Sequence, residues 1–185
     1  VYIPTKNQIY SSKRKKKIKL NKNEKILCAK FRKGHFEGVL NVMDIFTNKI
    51  KPTKIFMGEK DFQQLYLVKK FIEKKYPSKI VACKTIRNSD KLAFSSRNTL
   101  LKNIELNVAS KLTQDLINFK RYLKNINDVK KKLRNKKIEL IKKYWINIEY
   151  LELRNISNLK KSNRINNSRL FIAYYLNKVR LIDNF

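Results

Sequence analysis

A short apolar run, Ile55-Phe56-Met57, ends on Gly58, and a polar stretch, Glu59-Lys60-Asp61-Phe62-Gln63-Gln64, opens an amphipathic segment from Leu65 to Tyr76. A buried strand that passes through a glycine into a polar helix start is a βα unit. Such units hold anionic ligands, because ligands gather at the carboxyl ends of parallel strands and helix N-termini offer unbonded N–H groups. Glycine admits close backbone approach. Lys60 can supply a cation for phosphate, Asp61 can accept from ribose hydroxyls, and Gln63-Gln64 can bond a small polar substrate. The same residues also suit a polar N-cap turn with no ligand, and pattern alone leaves the two readings level.

The surrounding periodicity extends the βα unit in both directions. Val1 to Ile3 reads as the end of a strand, with Pro4 opening a turn and a short helix to Tyr10. Ile18 to Leu20 reads as a short strand. Val39, Val42, Met43, Phe46 and Ile50 recur as one helix face, which Pro52 ends. Ile80 to Cys83 is a further short strand after the Pro77-Ser78 turn. This alternation predicts an α/β fold with a parallel sheet and right-handed crossovers over residues 1–86. Beyond it the character changes. Val108, Leu112, Leu116, Phe119 and Leu123 line one helix, and Val129, Leu133, Leu140 and Tyr144 a second. Strands are expected from Trp145 to Leu153 and from Ser168 to Leu176, leading into Val179 to Asn184. Residues 87–185 therefore read as a small α+β domain.

Composition limits the function classes. The formal net charge of +31 invites a nucleic-acid reading, while the 42% apolar share marks a folded chain and not a disordered one. An AT-rich coding bias toward Lys, Asn and Ile is a competing explanation of the charge, and Lys49, Lys51, Lys69, Lys70, Lys74 and Lys75 fall between apolar helix positions, as solvated faces do. The exception is Lys13-Arg14-Lys15-Lys16-Lys17, which resembles a nucleic-acid or import patch, although a solvated loop is the commoner case. Non-specific, salt-sensitive nucleic-acid binding is expected of such charge. No apolar run spans a bilayer, so no membrane partner is expected. Two lone thiols, Cys28 and Cys83, fit a reducing cytoplasm. With one histidine, His35, the chain cannot build a His/His or Cys/His metal site.

Two other stretches could carry chemistry. Arg32-Lys33-Gly34-His35-Phe36-Glu37-Gly38 could present Arg32 to an anion and His35 to a proton, or simply start a helix. Ser95 and Ser96 lack a nearby base, which argues against a nucleophile; with Arg97 they suit phosphate, as two hydroxyls and a fork-shaped cation.

In order and spacing, Gly34-His35-Phe36-Glu37-Gly38-Val39, Gly58-Glu59-Lys60-Asp61-Phe62-Gln63-Gln64-Leu65 and Phe94-Ser95-Ser96-Arg97-Asn98 resemble the pantothenate synthetase family. Tyr2-Ile3-Pro4, Tyr150-Leu151-Glu152-Leu153-Arg154 and Arg180-Leu181-Ile182-Asp183-Asn184 extend the likeness from end to end. The resemblance implies a Rossmann-like nucleotidyltransferase domain followed by an α+β lid. It implies condensation of (R)-pantoate with β-alanine, using ATP and Mg²⁺, through a pantoyl adenylate, with AMP and pyrophosphate released. Gly58, Glu59, Lys60 and Asp61 would line ATP, Gln64 would bind pantoate, and Ile86 would meet adenine through its backbone. Phe94, Ser95, Ser96 and Arg97 would form a loop over the phosphates, and Arg32 and His35 would lie near the substrate channel.

The likeness has departures. The family has Gly where this chain has Lys91, and usually Met or Leu at Phe94. Its His-x-Gly-His motif, which carries the proton-donor histidine, lies upstream of Val1, and so does the first pantoate glutamine. The resemblance therefore implies the C-terminal two-thirds of a homodimeric cytoplasmic enzyme, inactive alone and exposing part of its sheet. The rival readings are a basic nucleic-acid-binding protein and a decayed remnant; intact Lys60, Gln64, Ser95, Ser96 and Arg97 argue against the second.

Overall fold

Two parallel strands, β1 (Lys54–Gly58) and β2 (Lys79–Cys83), pair in register from Lys54 opposite Lys79 to Gly58 opposite Cys83. They belong to a computed structural model that describes residues 2–9, 18–123 and 128–185. The chain divides into two compact units, residues 1–83 and 84–185.

In the first unit α1 (Lys6–Ile9) and α2 (Cys28–Phe31) are single turns, and α3 (His35–Ile50) and α4 (Phe62–Lys75) are the long helices. On α4 the face read from sequence is the one buried, through Leu65, Val68 and Ile72. On α3 it is not: Phe36, Leu40 and Ile45 are buried, whereas Val39, Val42, Met43 and Phe46 are half-buried and Ile50 is exposed, because packing against α4 selects the neighbouring stripe of the helix. Lys51 closes α3 in the left-handed region and donates its N–H to the Thr47 carbonyl, and Pro52 bars continuation. Asp44 joins the helices by accepting from Lys75 Nζ and Tyr76 Oη, each at 2.6 Å. Between β1 and β2 runs the single crossover helix α4, and Glu73 Oε1 accepts from the Ile80 N–H at 2.9 Å.

Two strand expectations fail. Tyr2 and Ile3 are irregular, and so are Ile18 to Leu20. Leu20 is buried nonetheless, in a cavity wall it shares with Leu40 and Leu67. Apolar burial against helices satisfies this segment without a ladder, so a β pattern three residues long was not decisive. The parallel sheet accordingly has two described strands. The basic run from Lys13 to Lys17 lies outside the described residues.

The second unit is built from α5 (Asn103–Tyr122), α6 (Val129–Tyr144) and an antiparallel sheet of order β3-β4-β5 (Asn147–Asn155, Ser168–Leu176, Val179–Asn184). Helices and strands fall where the periodicity predicts. Leu112, Leu116, Leu140, Leu153, Leu170 and Ile172 fill the core between them. Trp145, left-handed at φ 52°, ends α6 and turns the chain into Ile146, which is buried.

Candidate functional site

In the first unit the strand end at Gly58 organises the polar groups. Its backbone is ordinary extended chain (φ −71°, ψ 135°), and a Cβ placed there would meet nothing within 4 Å. Neither strain nor internal packing calls for glycine at this position, and the strand end is open. A 3-10 turn, Glu59–Asp61, follows. Lys60 is half-buried and Asp61 exposed. Asp61 occupies the N-cap of α4, yet its carboxylate makes no capping hydrogen bond. The plain N-cap reading therefore does not describe how this side chain is used.

The two glutamines separate. Gln63 is buried, and its Nε2 donates to the Ile26 carbonyl at 2.8 Å and the Glu24 carbonyl at 3.2 Å. It ties an irregular segment to α4, so a substrate-binding amide pair is corrected to Gln64 alone. One step along a helix turns the side chain by about 100°, which takes Gln64 off the buried face; it is half-buried.

Arg32 and His35 flank Gly34, whose φ of +77° is the left-handed geometry that glycine adopts without strain. The His35 ring lies 5.0 Å from that of Phe36, tilted by 52°, at the first turn of α3. This placement matches the helix-start reading of the stretch.

In the second unit residues 86–94 form a small hairpin. The Phe94 N–H donates to the Ile86 carbonyl at 3.1 Å and the Asn88 N–H to the Leu92 carbonyl at 2.9 Å, with Arg87 bridged to Ala93. The Ile86 N–H stands outside this ladder. At the turn Lys91 is left-handed, φ 70°. The side chains of Ile86 and Phe94 are 69% and 62% exposed.

Ser95 caps the 3-10 turn Ser96–Leu100: its Oγ accepts from the Arg97 N–H at 3.2 Å. Its lone pairs thus serve the backbone, and its O–H remains as donor. Ser96 is exposed. Arg97 Nη1 donates to the Arg180 carbonyl on β5 at 3.0 Å. Arg180 in turn is held by Glu149 at 2.6 Å. The sequence reading passed over one pair entirely. Arg87 grips Asp183 through Nη1–Oδ2 at 2.7 Å and Nη2–Oδ1 at 2.8 Å. The one signal in the chain is an aspartate set in an apolar strand, Leu181-Ile182-Asp183.

Comparison with known proteins places the chain in a ligase family. The model of that family, described as Pantoate-beta-alanine ligase, matches residues 1–185, and the chain belongs to it. The pantothenate synthetase of Clostridium botulinum is 37% identical over 191 residues, covering 100% of this chain and 67% of that protein. The crystal structure of pantothenate synthetase from Thermus thermophilus superposes with a TM-score of 0.86 at 25% identity, over 97% of this chain and 66% of that one. Pantoate-beta-alanine ligase from Francisella tularensis, complexed with beta-gamma ATP and beta-alanine, gives a TM-score of 0.68 at 29% identity. It covers 91% of this chain and 56% of that one. The chain thus spans about two thirds of the length of the relatives it matches. Among the described residues no helix is long and apolar enough to cross a membrane.

Proposed function

We propose that this chain supplies nucleotide- and pantoate-binding residues to an enzyme that condenses (R)-pantoate with β-alanine, using ATP and passing through a pantoyl adenylate. The observation that carries the reading is the open strand end at Gly58, followed by an Asp61 carboxylate that does not cap its own helix. Family membership gives that geometry its substrates.

In this reading Gly58, Glu59, Lys60 and Asp61 contact ATP, with Lys60 on phosphate and Asp61 on ribose. Gln64 bonds pantoate. The Ile86 N–H meets adenine, and Phe94 to Arg97 contact the phosphates, Arg97 through the guanidinium nitrogens not used on Arg180. Arg32 and His35 lie toward the substrate channel. The domain labels follow: a partial nucleotide-binding α/β domain, then an α+β lid. A pantoate carboxylate oxygen attacks the α-phosphorus and the bond to pyrophosphate breaks; the β-alanine amine then attacks the acyl carbon and AMP leaves. Both steps need alignment and charge neutralisation more than a protein nucleophile. Mg²⁺ takes substrate phosphates and water as most of its ligands, and among the described residues no group of three or more His, Cys, Asp or Glu side chains could hold it, so it would come with the nucleotide and neutralise phosphate charge there. A cytoplasmic homodimer is part of the same reading, on the strength of the family resemblance.

Cys83 provides the test. It is exposed at the strand position opposite Gly58, whereas the other cysteine, Cys28, is buried. ATP is expected to slow alkylation of Cys83 in the 185-residue chain. In the whole protein that carries these residues, AMP should form only with both pantoate and β-alanine present. The 185 residues alone should bind without turnover, because their single histidine cannot make the His-x-Gly-His motif. Unprotected Cys83 together with no pantoate-dependent AMP would sink the proposal.

A further inference from the structure

We propose that Arg87 is a positioning residue for nucleotide phosphate: it latches the Ser95-Ser96-Arg97 segment to the last strand of the second unit. The inference rests on the reading of that segment as a phosphate contact.

Arg87 reaches four acceptors. Its Nη1 donates to the Lys91 carbonyl at 2.9 Å and to Asp183 Oδ2 at 2.7 Å. Its Nη2 donates to Asp183 Oδ1 at 2.8 Å and to the Asn184 carbonyl at 3.1 Å. The guanidinium carbon sits 5.0 Å from the centre of the Phe185 ring. A two-pronged guanidinium–carboxylate pair fixes direction as well as distance, which a lysine in the same place cannot do.

The latch has a second point of attachment. Arg97 Nη1 donates to the Arg180 carbonyl, three residues before Asp183 on the same strand. Next to the second anchor Asn98 Nδ2 donates to the Ala93 carbonyl at 3.0 Å and closes the segment on itself. Residues 87–98 are thus held to β5 at both ends. The bond from Arg87 to the Lys91 carbonyl also steadies a turn whose left-handed residue carries a side chain. A buried ion pair is weak evidence of stability in itself, because desolvation offsets most of its attraction. Holding one geometry is the use such a pair serves well, and phosphoryl chemistry is sensitive to donor placement at the 1 Å scale.

The experiment compares wild type, Arg87→Lys and the apolar pair Arg87→Met/Asp183→Leu in the whole protein. Amide exchange is read over residues 88–98, and ATP and pantoate binding by calorimetry. The lysine variant keeps the charge and loses the fork; the apolar pair removes both charges and avoids stranding either. Both are expected to bind ATP about tenfold more weakly and to exchange about tenfold faster over 88–98, with pantoate binding unchanged. ATP affinity within about twofold of wild type in a folded variant overturns the proposal. Equal loss of ATP and pantoate binding overturns it too, since that marks general destabilisation. If the lysine variant fails to fold, the apolar pair decides; if that also fails, the pair is purely structural and the proposal falls. Wild type that binds no ATP overturns the underlying reading of the segment, a result distinct from a wild type that binds and a variant that binds equally well.

Discussion

The two sheets of this chain solve opposite problems. In β4 of the antiparallel sheet seven of nine residues are buried, including Leu170 and Ile172 with no exposed surface. In β1 of the parallel pair none is buried, and Phe56 is 67% exposed. Parallel strands usually pack on both faces; here, among the described residues, the pair brings Gly58 and Cys83 side by side at its carboxyl end, both exposed. The difference teaches that burial is concentrated in the antiparallel sheet, while the parallel pair keeps an exposed face and, in the function proposed above, presents Gly58 to the nucleotide.

The comparison breaks most easily at Ile172. Ile172→Ala should cost about 2–5 kcal/mol in urea unfolding of the second unit, whereas Phe56→Ser should change stability by less than about 0.5 kcal/mol. Comparable losses would show that β1 is part of a core after all. Next in size is Lys60→Ala. The ligation rate should fall about 100-fold with the unfolding midpoint held, as for loss of one preorganised cation near developing charge. A parallel drop in stability would make Lys60 a structural residue.

A gain is expected at Lys91. Glycine removes the left-handed penalty of about 1–2 kcal/mol, less what the freer unfolded chain takes back. Lys91→Gly should therefore raise the melting temperature of the second unit, and a fall would mean that the lysine side chain is itself engaged.

The smallest effect is in the pH response. Asp115 accepts from Lys143 Nζ and Tyr144 Oη, each at 2.8 Å. Partial burial works against its ionisation, but these two hydrogen bonds together with the charges of Lys136 and Lys143 outweigh it and hold the carboxyl below its ordinary value. A lowered carboxyl pKa in the fold contributes stability above the unfolded value of 3.8, and that contribution disappears as pH falls through the folded one. Asp115→Asn should cost no more than about 1 kcal/mol at pH 7, and the two proteins should converge in strong acid. Curves that stay parallel down to low pH would remove Asp115 from the acid response.

What the chain declares by itself is whatever repeats within a few residues. The helix faces of α4 to α6 and the strands at Ile55, Ile80 and Ser168 follow from spacing, since each turn or pleat sorts side chains locally, whereas spacing marked α3 as a helix but chose the wrong face of it. The Gly58 and Ser95 motifs are local in the same sense. Ile18 to Leu20 had the composition of a strand without a partner, and pairing is not a local property. Tertiary structure alone decided that Gln63 turns inward to a carbonyl 37 residues away while Gln64 does not. It alone brought Arg87 to Asp183 across 96 residues and set Lys91 in a left-handed turn. Periodicity records which face of an element is apolar; it does not record which distant polar group an arginine or an amide will meet, because that is settled only when the elements pack.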